Sequence, residues 1–321
     1  MSSEPRLNPY NVDLDRNPAN HQPLTPLTFL ERAASVFPEH PAVIHGSLTR
    51  SYADFYRRSR QLASALSLQG LGRGNTVSVM LPNCPTMLEA HYGVPMCGAV
   101  LHSMNTRLDP AVIAFQLDHV ESDVLIIDRE FSEVMKEALT LCKVNPIIID
   151  YDDLAFPQDG ETLGTFDYEA FLATGDPEFE WLMPLDEWDA ISINYTSGTT
   201  GDPKGVVYHH RGAYLLAQGN ALTASMQKHS VYLWTLPMFH CNGWCFPWTM
   251  SAISGTHVCL RWVRPKPMWD AIADHNVTHL CGAPIVMSTL LNTPETDKRL
   301  LSDPVEFMTA AAPPPEKVLE D

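Results

Sequence analysis

From residue 25 onward the hydrophobic positions switch repeatedly between a helical spacing and short continuous apolar runs. Residues 25–37 open with Thr25 as a capping residue and set Phe29, Leu30, Ala33 and Phe37 on one helical face. Residues 41–45 and 48–52 flank a Gly46-Ser47 turn and predict a hairpin. A second amphipathic helix is expected over 53–68, with Phe55, Leu62, Ala65 and Leu66 inward and Gly70 as its stop. Strands at 75–81, 100–103, 123–128 and 146–150 then alternate with helices at 84–97, 110–120 and 130–142. After residue 189 the rhythm returns, with strands at 190–194, 206–208, 230–236, 256–262 and 277–281 and helices at 211–224, 246–253 and 266–275. Strands separated by helical segments of this length argue for parallel β-α-β units, an α/β fold whose sheets are covered on both faces.

Two stretches break the pattern. Residues 1–24 are polar, rich in Asn and Pro and without a period, and are expected to form an extended arm ahead of a domain at 25–321. Residues 151–189 crowd Asp and Glu among recurring Pro and Gly, with one amphipathic piece near 166–173. They predict an acidic surface excursion whose carboxylates face solvent.

Composition narrows the function. With 45% apolar residues in 321, the chain can bury a sizeable core. A formal net charge of −17 argues against nucleic acid and anionic membranes as partners, so the few basic residues must gather where an anionic ligand binds. The 7 cysteines, an odd number spread through apolar segments, read as reduced thiols of a reducing, intracellular compartment, the cytoplasm above all. No apolar run is long enough to form a transmembrane segment, and the N-terminus has no apolar signal core.

Chemistry concentrates between the runs 190–194 and 206–208, in Tyr195-Thr-Ser-Gly-Thr-Thr-Gly-Asp-Pro-Lys-Gly205. Gly198, Gly201 and Gly205 let the backbone turn tightly and approach a ligand. Successive exposed N–H groups in such a turn make a concave anion site. The hydroxyls of Thr196, Ser197, Thr199 and Thr200 add donors, and Lys204 adds a mobile positive charge. The string therefore reads as a phosphate-gripping loop between two strands. Its spacing is not that of the P-loop, which needs four residues between its glycines and a Lys directly after the second, and no dinucleotide G-x-G-x-x-G is present.

A second candidate is Pro237-Met-Phe-His-Cys-Asn-Gly-Trp244, which falls at a strand's carboxyl end and precedes a helix. Open α/β sheets bind ligands there, so His240, Asn242, Gly243 and Trp244 are site candidates. A metal beside His240, Cys241 and Cys245 is not expected, because a fourth ligand and paired spacing are missing. A lone histidine on an apolar stretch is ordinarily a core residue.

The string at 195–205 resembles the signature phosphate loop of the adenylate-forming superfamily, which includes acyl-CoA synthetases, luciferases and peptide-synthetase adenylation domains. Pro-x-Phe-His-x-x-Gly at 237–243, Gly282-Ala-Pro284, the segment 93–107 ending in Asn-x-Arg and the stretch 305–315 are similar to further segments of that family. The resemblance implies the large N-terminal domain of the adenylate-forming fold. It also implies a reaction in which a carboxylate attacks the α-phosphate of ATP, giving an acyl adenylate and pyrophosphate, before the thiol of CoA takes the acyl group. By the same resemblance Lys204 and His240 are the catalytic candidates, His240 lying by the acyl carboxylate and the thiol route. Trp244 becomes a wall of the acyl pocket, although a core tryptophan reads the same way, and Gly282, Ala283 and Pro284 lie on the acyl-binding side. Ala311, Ala312 and Pro313 pack against adenine, with Ala311 standing where the family usually has glycine. Arg107 is either a ligand contact or a residue that orders its loop.

The family's later segments, Tyr-Gly-x-Thr-Glu for phosphate and Mg²⁺, Thr-Gly-Asp for the ribose, and a small C-terminal domain with a catalytic lysine, do not occur in this sequence. An incomplete N-terminal domain is expected, slow or inactive by itself because charge at the α-phosphate would lack the Mg²⁺ carboxylate and the lysine. An uncovered sheet edge would then favour self-association. His240-Cys-Asn-Gly-Trp-Cys-Phe-Pro-Trp248 and the late Ala-Pro-Pro-Pro are most similar to the plant-type acyl-activating enzymes, which implies short or medium-chain fatty acids or aromatic acids as substrates. The family also extends to peroxisomes, but residues 317–321 are not a Ser-Lys-Leu address. The alternative is a non-catalytic protein, a short isoform that binds nucleotide or acyl ligand or pairs with a full-length ligase.

Overall fold

The described residues, 8–196, 203–310 and 312–320, build two sheets in the computed structural model. In chain order the strands are β1 (Pro41–His45), β2 (Leu48–Ser51), β3 (Thr76–Met80), β4 (Val100–Ser103), β5 (Val124–Asp128), β6 (Ile147–Tyr151), β7 (Phe166–Asp167) and β8 (Ala190–Tyr195). They continue with β9 (Gly205–His209), β10 (Val231–Trp234), β11 (Thr256–Cys259), β12 (His279–Gly282) and β13 (Glu306–Thr309). One sheet runs β7-β6-β5-β3-β4-β8-β9 and the other β13-β12-β10-β11-β1-β2. Every neighbouring pair is parallel except the hairpins β1–β2 and β8–β9. The α/β reading holds, because β3, β5 and β6 are near-continuous apolar runs that only a sheet covered on both faces can bury.

The centre of the molecule is the helix Pro85–Met96, all of whose residues are buried. It is apolar nearly all round, as a helix without a solvent face must be, and it shares one core with Leu62 and Leu66 of the helix Tyr52–Leu68, Val77 and Val79 of β3, and Trp234 of β10. The two sheets are thus packed through one cluster rather than side by side.

Several boundaries move for identifiable reasons. The first helix begins at Leu27, after Pro26; the Thr25 hydroxyl still accepts from the Leu27 N–H at 3.3 Å and also meets His210 Nδ1 at 2.8 Å. The helix expected from 130 starts at Ser132, after a 3₁₀ turn in which the Asp128 carboxylate accepts from the Glu130 N–H. β11 stops at Cys259 because Arg261 folds into the protein.

The expectation of solvated carboxylates over 151–189 is overturned in part. Asp153 is buried and accepts from His45 Nε2 and Arg261, each at 2.8 Å. Tyr168, Phe171 and Leu172 enter the core, and β7 extends the sheet. A local charge count misses this because the cations that neutralise the segment come from elsewhere in the chain. Residues 8–22 form one short 3₁₀ turn, Pro9–Asn11, and are exposed. All 7 cysteines are free, and no helix among the described residues is long and apolar enough to cross a membrane.

Candidate active site

Parallel strands send all their carboxyl ends to one rim, which is where α/β sheets hold ligands. At that rim β8 and β9 close a hairpin whose last pair is Tyr195 with Gly205. Beyond it, Thr196 N–H donates to the Lys204 carbonyl at 3.1 Å, and Lys204 N–H reaches the Thr196 hydroxyl at 3.4 Å. Thr196, Lys204 and Gly205 are exposed. The residues on either side of the predicted loop are therefore paired with each other. Ser197, Gly198, Thr199, Thr200 and Gly201, like Ala311, lie outside the described residues.

A cleft of about 550 Å³ opens beside this base. Thr196 and Pro203 line it from the hairpin, Ser103 and Asn105 from the end of β4, Gln116 and Val112 from the helix Pro110–His119, and Phe239, His240 and Cys241 from the segment after β10. Its wall at Tyr208, Val206 and Leu108 is largely apolar. Tyr195, the first residue of the loop string, meets His119 Nδ1 at 2.5 Å through its hydroxyl. Partial burial pushes this phenol up to about 12, so it stays protonated. Behind Tyr195 the ring of His102 is buried, and burial lowers it to about 4, which keeps it neutral.

His240 is exposed on the cleft wall. The five residues after it all have positive φ: 47° at Cys241, 43° at Asn242, 52° at Gly243, 52° at Trp244 and 63° at Cys245. A left-handed backbone costs an L residue about 1–2 kcal/mol, so the turn persists only if its surroundings over-determine it. Asn242 supplies much of that constraint. Its side chain is buried, accepts from Ser192 Oγ at 2.9 Å and from Asn194 Nδ2, and meets His91 Nε2 at 3.3 Å. Gly243 is pressed onto Trp234, and a Cβ there would stand 2.7 Å from the indole. Trp244 is half-buried against the core, with its carbonyl accepting from Asn220 Nδ2 at 2.7 Å.

The structure thus brings Thr196 and His240 to one cleft, while Asn242 and Gly243 lie beneath its floor. Gly282, Ala283 and Pro284 sit at the carboxyl end of β12, where Pro284 opens a helix and Gly282 is buried. Ala312 and Pro313 are exposed beyond β13. Both segments lie at the carboxyl ends of their strands but do not line the cleft. Ser103, Gln116, Asn194 and Tyr208 were missed by sequence reasoning. A signal existed for one of them: Ser192 and Asn194 are polar positions within a strand flanked by apolar residues, and both are buried.

A second cleft, of about 380 Å³, takes Asn83, Arg107, Glu130, Thr235, Trp262 and Arg264 from the carboxyl ends of strands in both sheets, and Phe239 borders both clefts. Neither Arg107 nor Arg264 makes an ion pair among the described residues, although the protein is strongly acidic. No group of three or more His, Cys, Asp or Glu side chains able to hold a metal ion occurs among the described residues, so these residues do not supply a ready-made Mg²⁺ site.

Comparison with known proteins agrees with this architecture. The sequence profile of the family described as AMP-binding enzyme matches residues 30–321. The chain is 48% identical over 319 residues to the peroxisomal acetate/butyrate–CoA ligase AAE7 of Arabidopsis thaliana, covering 96% of this chain and 56% of that protein. It is 46% identical, with the same coverage, to the acetate–CoA ligase CCL3 of Humulus lupulus. To the peroxisomal trans-cinnamate:CoA ligase of Petunia hybrida it is 40% identical, again over 96% of this chain and 56% of the relative. The chain spans about half the length of these curated relatives. Among solved structures, the N-terminal domain of FACL13 from Mycobacterium tuberculosis superposes with a TM-score of 0.80 at 23% identity, over 92% of this chain and 72% of that one, a likeness of fold.

Proposed function

The chain belongs to the AMP-binding enzyme family, and on that footing we propose that it serves an AMP-forming carboxylic acid–CoA ligase reaction on small acids. The observation that carries this reading is the shared cleft. The base of the phosphate hairpin and His240 face the same 550 Å³ space, so a nucleotide's phosphates and a carboxylate can meet there.

In the first step an acid's carboxylate oxygen bonds to the α-phosphorus of ATP while the bond from that phosphorus to the bridging oxygen breaks, and pyrophosphate leaves with the electron pair. The Thr196 hydroxyl and the Lys204 ammonium, with the loop between them, would grip the departing phosphates. A charge placed where negative charge grows is the strongest single aid a site can give. His240 would hold the acid's carboxylate toward the phosphorus from the opposite wall, with Phe239 and Tyr208 excluding water. Mg²⁺ would neutralise phosphate charge when bound.

In the second step the sulfur of CoA, having lost its proton to solvent, bonds to the acyl carbon while the bond from that carbon to the AMP phosphate oxygen breaks, and AMP leaves with the electron pair. The guanidinium groups of Arg107 and Arg264, which make no ion pair among the described residues, would suit the phosphates of CoA, and Phe239, common to both clefts, would lie between them and His240. The apolar wall and modest volume favour acids of the size that the relatives' names record: acetate, butyrate and cinnamate. Seven free thiols suit a reducing compartment.

Acid-dependent ATP–pyrophosphate exchange by the purified chain, across acetate, butyrate, benzoate and cinnamate, tests the proposal. Slow exchange with at least one acid is expected of this chain by itself, and Lys204→Ala should lower it by about 100-fold or more, as loss of one oxyanion donor does. ATP binding without exchange would instead support the second reading, a non-catalytic binder. A folded chain that binds no ATP would sink the ligase reading, and an insoluble or molten chain would sink the alternative.

A further inference from the structure

Beneath His240 the buried carboxamides form a directional network. Among the contacts of His91, Nδ1 faces the Met87 carbonyl at 2.7 Å, so that nitrogen carries the proton and Nε2 is the acceptor. Asn242 must then turn its amide nitrogen toward His91 Nε2, at 3.3 Å, and its oxygen toward β8. That oxygen accepts from Ser192 Oγ and Asn194 Nδ2. Asn194 returns the bond, its oxygen accepting from the Asn242 backbone N–H at 3.2 Å and from Ser103 Oγ at 3.1 Å. The single Ser103 hydroxyl proton is shared between that oxygen and the Phe239 carbonyl, which lies 3.2 Å away. Each donor has an acceptor, and the partners come from four elements: the buried central helix, β4, β8 and the segment that bears His240.

Three facts make this more than a satisfied core. The network holds five consecutive left-handed residues, an arrangement that relaxes unless it is held. It attaches that turn to β8 at Asn194, two residues ahead of Thr196, where the phosphate hairpin begins. Asn194 and Ser103 themselves line the cleft, whereas Asn242 is fully buried and touches no ligand space.

We propose that Asn242 and Asn194 are positioning residues: together they hold the left-handed turn Cys241–Cys245 and set His240 in register with the phosphate hairpin. The inference rests on the ligase reading for its chemical consequence but not for its structural one. Asn suits position 242 doubly, since it accepts a positive φ more readily than other non-glycine residues and carries both a donor and an acceptor.

Two measurements on the 321-residue chain decide it. In Asn242→Gly the backbone keeps its freedom at positive φ and loses only the carboxamide; in Asn194→Ala the other half is removed. Backbone amide hydrogen exchange, read without substrate, should accelerate at residues 240–245 in both variants and stay unchanged in β5 and β6. In the exchange assay kcat should fall about 100-fold, with KM for ATP moving less than about threefold, because a misplacement of about 1 Å has that effect on rate and little on uniform binding. The double variant should lose no more than either single one, the mark of a shared interaction.

Unchanged protection at 240–245 would overturn the network, and faster amide exchange with an unaltered kcat would overturn the positioning role. Absence of acid-dependent exchange in the wild type would strike the ligase reading alone, leaving the amide data to judge the turn. Ser192→Ala, which removes one hydrogen bond and spares both asparagines, carries the same test if Asn242→Gly does not fold.

Discussion

Arg261, on the wall of the second cleft, is the most heavily paired single residue of the protein's described part. Its guanidinium is fully buried, donates to Asp128 at 2.8 and 3.0 Å, to Asp153 at 2.8 Å and to Glu130 at 2.6 Å, and so ties the end of β11 to the end of β5. Burial by itself would raise the Asp153 carboxyl, but the hydrogen bond and charge of His45, and those of Arg261, outweigh it and hold the acid below its usual range. Arg261→Met should therefore cost about 3–5 kcal/mol in urea unfolding, since it strands buried carboxylates rather than merely deleting a pair. A loss below about 1 kcal/mol would show that water reaches them, as at a surface pair. Nothing in the sequence announces this cluster: Arg261 and Asp153 stand 108 positions apart, and the acidic stretch around Asp153 reads locally as solvated surface.

Among the elements, the helix Pro85–Met96 shows how far spacing carries and where it stops. It was expected at 84–97, within one residue of each observed end. Spacing gave neither its complete burial nor the crossing of Tyr52–Leu68 at Gly93. A Cβ at Gly93 would stand 2.8 Å from both Leu62 Cβ and the Ser59 carbonyl. Overpacking of this kind costs about 1–3 kcal/mol, so Gly93→Ala should lower the unfolding midpoint despite alanine's better helix propensity. An unchanged or raised midpoint would mean the helices can slide apart freely. The turn Cys241–Cys245 is the converse case: spacing alone suggests a helix from about Phe246 and is silent on the left-handed turn before it, whose conformation depends on partners in other elements.

At the scale of the whole molecule, buried histidines set the response to acid. Burial lowers His91, His102 and His210 to about 4 and His257 to about 3, all from an ordinary 6.5. The unfolded chain therefore binds more protons than the folded one between 6.5 and about 4, and stability falls as pH drops through that window. Glu89 adds a second, lower window: burial opposes its ionisation, but Arg50 and Arg58 outweigh burial and depress the carboxyl, and that stabilisation is lost as pH falls below its ordinary 4.5. Urea midpoints should stay level above about pH 7, decline as histidines are forced to charge, and decline again in stronger acid. His102→Gln should make the first decline shallower if the protein folds. A midpoint flat from about pH 7 to 4 would mean these rings are hydrated.

The amino-acid sequence by itself determined the parts: the helices and strands, because hydrophobic period is a local property, and the two contiguous strings around Lys204 and His240, because each is a chemical device within a dozen residues. Only the tertiary structure decided how the parts meet. The division into two sheets, the burial of Asp153, the cleft shared by Thr196 and His240, and the placing of Asn242 under that cleft depend on contacts between residues 48, 108 and 151 positions apart. Such contacts form when whole apolar faces are buried together, and a polar side chain's partner is then whichever group the packing leaves opposite it.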